Sequence, residues 1–124
     1  MVNIEVIDTD IPKSGPYNLG IKAGNLLFIS GQVSSPEVRG IKEQTSVIFE
    51  KIKKILKAAG ASVSNIVKVT VFLKNMTDFN DMNSAYKEFF EKNGVTEKFP
   101  ARSTIEATCP IPYGLIEIEA IAIL

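Results

Sequence analysis

The chain has 124 residues, 14 Lys and Arg against 14 Asp and Glu, one cysteine and no histidine. That length suits one domain spanning residues 1–124, and the zero net charge offers polyanions no long-range attraction. Cys109 alone excludes an intramolecular disulfide, and the missing histidines exclude Cys/His zinc sites and every histidine-dependent triad.

Gly, Pro and Asn fall singly between periodic segments, with no repeat or linker. The opening MVNIEVIDTD has no basic segment leading into an apolar one, and apolar runs are about five residues against the ~20 that span a bilayer. A soluble, cytoplasmic protein is expected. Ile4 to Ile7 reads as a short strand, and Gly20 to Ala23 and Leu26 to Ser30 flank Gly24-Asn25, a two-residue hairpin turn. From Ile41 to Ala59, Gln44, Ile48, Ile52, Ile55, Leu56 and Ala59 recur at helical spacing, with Lys51, Lys53, Lys54 and Lys57 mostly facing away and Gly60 as the stop. This predicts an amphipathic helix. Ile66 to Lys74 alternates Val67, Val69, Val71 and Leu73 against Lys68, Thr70 and Lys74, the period of a half-buried strand. Thr77 or Asp78 caps a second helix with Phe79, Met82, Tyr86, Phe89 and Phe90 on its apolar side, ended by Asn93-Gly94.

Strands over Arg102 to Thr108 and Leu115 to Leu124 complete the order βββαβαββ, an α+β fold with two helices covering one face of a six-stranded sheet. In the last strand Ile116, Ile118, Ala120 and Ala122 line one face, and Leu115, Ile121 and Ile123 line the other. Both faces need cover, and only two helices are available. Another copy of the chain is the simplest cover for the second face, which predicts a closed homo-oligomer with clefts between subunits.

Glu117 and Glu119 share the face of Leu115, Ile121 and Ile123. Desolvation there raises a carboxyl pKa toward the range useful for proton transfer; otherwise both carboxylates lie on a solvated strip or pair with lysines. Arg102, after Pro100-Ala101 in KFPARST, begins a strand either as a bidentate clamp for a carboxylate or as a surface ion-pair partner. Ser30-Gly31 ends an apolar strand, where the glycine admits a ligand to backbone N–H donors or simply lets the chain leave the sheet. Tyr17, after Gly15-Pro16, walls a pocket or packs partly buried, and Asn83 donates to a ligand or stays solvated on its helix. None of these decides the chemistry alone.

Together, SGPYNLGIKAGNLLFISGQ, VKVTVFLKNMTDFNDMNSAYKEFF, KFPARSTIE and LIEIEAIA, in this order and over essentially the whole chain, resemble the Rid (YjgF) family of reactive-intermediate deaminases. The resemblance implies a chorismate-mutase-like α+β fold, a homotrimer around a barrel-like core, three active-site clefts between subunits, and neither cofactor nor metal. The hydropathy argument arrives at an oligomer but not at the number three. Arg102 stands at the family's PAR arginine, which holds the substrate carboxylate, and Glu117 at the first glutamate of EIEAIA, which orients or activates the attacking water. Tyr17, Ser30 and Asn83 match positions lining the same cleft, and the Gly31 backbone supports the substrate. Thr104 falls where many relatives carry cysteine and counts among the substrate-binding positions, and Cys109, further along, reads as structural or incidental. Asn18-Leu19 replaces the usual polar-Gln pair, and Cys109-Pro110-Ile111-Pro112 replaces the commoner hydrophobic-Pro segment, so the pocket's shape differs from the family pattern.

The implied reaction is hydrolysis of 2-imino or enamino acids, such as 2-iminopropionate and 2-aminoacrylate, to 2-oxo acids and ammonia. An iminium carbon beside a carboxylate is already electrophilic, so water needs positioning and a proton acceptor more than a metal. The expected partners are a small imino or 2-oxo acid and further copies of the chain, with no membrane. Two other readings compete: a sensor that binds a small 2-oxo acid in the same clefts without turnover, and RNA cleavage or translational inhibition. Zero net charge and the lack of a basic-aromatic cluster argue against nucleic acid.

Overall fold

The segments of period two pair into a single sheet, and the two segments of helical period pack on one side of it. The computed structural model describes residues 3–124. Its strands are β1 (Ile4–Ile7), β2 (Gly20–Ala23), β3 (Leu26–Gln32), β4 (Ile66–Leu73), β5 (Ala101–Glu106) and β6 (Ile116–Ile123), and its helices are α1 (Ile41–Ala58) and α2 (Phe79–Lys92). This is the expected α+β order βββαβαββ. The sheet runs β1-β2-β3-β6-β4-β5 and is antiparallel except where β4 lies beside β5. A parallel pair needs a crossover rather than a hairpin, and α2 supplies it.

Both helices end as their glycines foretell. At α1 the Gly60 N–H bonds Lys57 O at 3.0 Å and the Ala61 N–H reaches Leu56 O at 2.9 Å; at α2 the Gly94 and Val95 N–H groups bond Glu91 O and Phe90 O in the same way. These are Schellman caps, and they use the positive φ of Gly60 and Gly94, 76° and 86°. The start of α2 differs from expectation. Asp78 is its N-cap residue but makes no side-chain cap bond, because a single 3-10 turn over Met76–Asp78 leads the chain into the helix.

Ile48, Phe49, Ile52 and Leu56 of α1 and Met82, Phe89 and Phe90 of α2 are buried in one core with Val69, Val71 and Leu73 of β4 and Ile116, Ile118 and Ala120 of β6. Phe49 stacks on Phe89 with ring centroids 4.6 Å apart, which couples the helices to each other. Among the described residues, nothing covers the opposite sheet face. There Phe28, Ile105 and Ile123 remain 42%, 48% and 43% exposed. Among the described residues, no helix is long and apolar enough to cross a membrane.

Candidate active site

β3 runs past its expected end at Ser30 to Gln32, with an irregular register between Ile29 and Gln32. The irregularity brings Gly31 against Glu117 of β6, so closely that a Cβ on Gly31 would collide with the Glu117 carboxylate. Glu117 pairs in register with Phe72, on the sheet face that the helices leave open. Burial pushes its carboxyl pKa above the usual carboxylate value, and the neighbouring Glu119 adds to the rise. The Ser30 hydroxyl donates to Asn18 O at 2.6 Å, tying the Tyr17 loop to the strand. The Tyr17 hydroxyl accepts the Ser14 N–H at 3.3 Å, and Ser14 holds the phenol's pKa below its ordinary value. These groups enclose a cavity of about 460 Å³, with Tyr17, Ser30, Gly31 and Glu117 on its polar side and Val33, Pro110 and Ile111 as an apolar wall.

Arg102 lies elsewhere. It pairs with Val69, whose side chain is in the core, so it points to the helix-covered face at the edge of the sheet. Its guanidinium carbon stands 4.7 Å from the centre of the Tyr86 ring and 5.7 Å from that of Phe79. Among the described residues it has no carboxylate partner; the Tyr86 and Phe79 faces and a 4.0 Å contact from its Nη1 to the Met82 sulfur support the charge. Asn83, Tyr86, Phe99 and Arg102 line a second cavity, of about 350 Å³. The Tyr86 hydroxyl is buried without a hydrogen-bond partner, and burial pushes its pKa up to about 12.

The predicted residues therefore fall into two groups rather than one cleft. Tyr17, Ser30, Gly31 and Glu117 come together, and Arg102 and Asn83 come together on the other side of the sheet. Thr104 joins neither. It pairs with Val71 on Arg102's face, and its hydroxyl is buried without a partner. A further hollow, about 630 Å³ between α1 and Asp10-Ile11-Pro12, collects none of the predicted residues and is bordered by the Lys54–Asp10 ion pair. Two contributions escape sequence reasoning: the wall of Val33, Pro110 and Ile111, which shows no period, and the role of Phe79 and Tyr86, which read simply as a core stripe.

The family described as Endoribonuclease L-PSP matches residues 8–124. A RutC family protein of Pyrococcus horikoshii is 48% identical over 95% of this chain and 96% of its own length. The chain belongs to the Rid (YjgF) family. Another relative of this Rid protein is the 2-iminobutanoate/2-iminopropanoate deaminase of Salmonella typhimurium, 40% identical over 88% of each chain. The crystal structure of E. coli TdcF with bound serine matches the fold with a TM-score of 0.88 at 33% identity, covering 97% of this chain and 98% of that one. Two helices on a six-stranded mixed sheet are thus the Rid fold.

Proposed function

We propose that this Rid protein hydrolyses reactive 2-imino acids and their enamino tautomers to 2-oxo acids and ammonia, in clefts formed between the copies of a homotrimer. The observation that carries this reading is the division of the site. An unpaired Arg102 opens on one side of the sheet and a desolvated Glu117 on the other. A ring of copies in head-to-tail contact joins two such unlike surfaces, so that Arg102 of one subunit completes the Glu117 cavity of the next. The number three comes from the family resemblance. The uncovered apolar face with Phe28, Ile105 and Ile123 supplies surface for that contact.

Arg102 grips the substrate carboxylate with two parallel N–H bonds and sets the iminium carbon beside Glu117. Glu117 takes a proton from water as the water oxygen bonds to C2, and the C=N electron pair moves onto nitrogen. The resulting carbinolamine receives that proton back on nitrogen and collapses. The C=O bond forms as the C–N bond breaks, and the hydroxyl proton leaves with the ammonia as ammonium. A carboxyl pKa raised by burial suits a group that must both accept and return a proton. The cytoplasm is retained as the place of action. The family's printed description refers to a ribonuclease, but a chain of zero net charge has no general electrostatic hold on RNA.

The test is ammonia release from 2-iminopropionate generated in situ by an amino-acid oxidase. The wild type accelerates it, and Arg102→Ala and Glu117→Ala each lose on the order of 100-fold or more. A wild type inert on several imines, yet binding 2-oxo acids, would replace the hydrolase with a sensor.

A further inference from the structure

We propose that the segment between β5 and β6, with Ile111 at its centre, is a fixed specificity wall that selects 2-imino acids with branched aliphatic side chains. This deepens the deaminase reading and rests on it. Pro110 and Pro112 flank Ile111 and contribute no N–H donors, and the segment belongs to no strand. Other contacts hold it. The Gln44 side chain, 1% exposed, donates to Val38 O at 2.8 Å and to Tyr113 O at 2.9 Å, and accepts the Leu115 N–H at 2.9 Å. The Arg39 guanidinium carbon sits 3.6 Å from the centre of the Tyr113 ring. The Gly114 N–H closes a turn on Ile111 O at 3.1 Å, and the space its missing Cβ leaves is taken by the Cys109 sulfur and the Ile111 side chain. A segment pinned at so many points presents Ile111 and Pro110 to the Glu117 cavity as a wall rather than as a lid.

On the polar side of that cavity, Ser30 is already engaged by Asn18 O and Tyr17 by Ser14. With the substrate carboxylate on the neighbouring subunit's Arg102 and its C2 atom beside Glu117, the apolar surface this chain offers the substrate's own side chain is Val33, Pro110 and Ile111. A three-carbon imino acid has six heavy atoms and displaces about six waters, roughly 180 Å³ at most. The cavity of about 460 Å³ exceeds that, and Val33, Pro110 and Ile111 are its apolar lining. An acidic side chain is disfavoured there twice, by desolvation and by the Glu117 carboxylate in the same cavity. The expected order is leucine-type imine first, alanine-type second and glutamate-type last.

The experiment compares kcat/KM for imines made in situ by an amino-acid oxidase from leucine and from alanine. The wild type prefers the leucine-derived imine by about tenfold or more, since a single buried methylene supplies at least that discrimination. Ile111→Ser lowers that leucine-to-alanine ratio by about tenfold, and Ile111→Leu restores it. The same ratio is read without turnover by calorimetric binding of 4-methyl-2-oxopentanoate against 2-oxopropanoate. An unchanged ratio in Ile111→Ser, or no preference in the wild type, overturns the specificity wall. Binding that still follows Ile111 in a protein inert on every imine would sustain the wall and overturn only the deaminase.

Discussion

Gly31 and Glu117 share one space: the Glu117 carboxylate occupies the position a Gly31 side chain would need. The absence of a Cβ, rather than any freedom of φ, is what the site requires of this glycine. Gly31→Ala therefore displaces Glu117 from the place beside C2 that the proposed function gives it. We expect kcat to fall roughly 10- to 100-fold while the melting temperature changes little, since a misplacement on the order of 1 Å has that kinetic effect. Steady-state rates and thermal melts on one preparation check both halves of the prediction.

Arg102 and Glu117 face away from each other across the sheet, so a working cleft draws on two chains under the proposed function. Arg102→Ala and Glu117→Ala proteins, each inactive alone, recover activity when co-refolded. In a ring of randomly mixed subunits, about a quarter of the clefts combine an intact arginine with an intact glutamate. Failure to recover any activity from the mixture would overturn the shared cleft, because one chain cannot bring the two groups together.

The raised carboxyl pKa of Glu117 has a definite sign for stability. The folded state holds this proton more tightly than the unfolded chain does, so ionised Glu117 weakens the fold at pH values above its folded pKa. That penalty vanishes once pH falls below the unfolded value. Glu117→Gln should therefore melt higher than wild type at neutral pH, with the difference closing as the solution is made acidic. The same shift places the acid limb of kcat/KM above the ordinary carboxylate range. Melting curves and rates collected over one pH series test both.

Gln44 carries three bonds to backbone groups of two separate loops. Gln44→Leu fills the same volume but leaves Val38 O, Tyr113 O and the Leu115 N–H without that partner. The expected loss is about 1–3 kcal/mol in denaturant unfolding, because these part-buried groups lose a partner that water replaces only in part. Gln44 reads in the sequence as a member of the α1 inward stripe, which is where it sits, but periodicity carries no information about what a buried amide bonds.

The fold was legible because its signals are local. Gly60 and Gly94 stop helices through bonds within a few residues, and Val69, Val71 and Leu73 alternate on one strand. The site was legible only in part. Alternation along β5 and along β6 distinguishes the two faces of each strand, yet whether Arg102 and Glu117 emerge on the same side depends on how β4 pairs with both, a relation set by the α2 crossover. Proline-flanked Ile111 has no period at all, so nothing short of the folded chain could put it opposite Glu117. Asp78 looked like a side-chain cap because the 3-10 turn that replaces it leaves no distinct residue pattern.

β6 lies between β3 and β4, and neither of those strands pairs with the other. During synthesis both precede it, so the growing chain passes through a stage with two unconnected pieces of sheet, each with a bare strand edge. Such contacts between distant segments form slowly, and exposed edges invite pairing with the wrong chain. A chain cut short before Ile116 would not resemble this protein with one strand missing; it would be two half-sheets, prone to aggregate, with no glutamate to bring to the cavity.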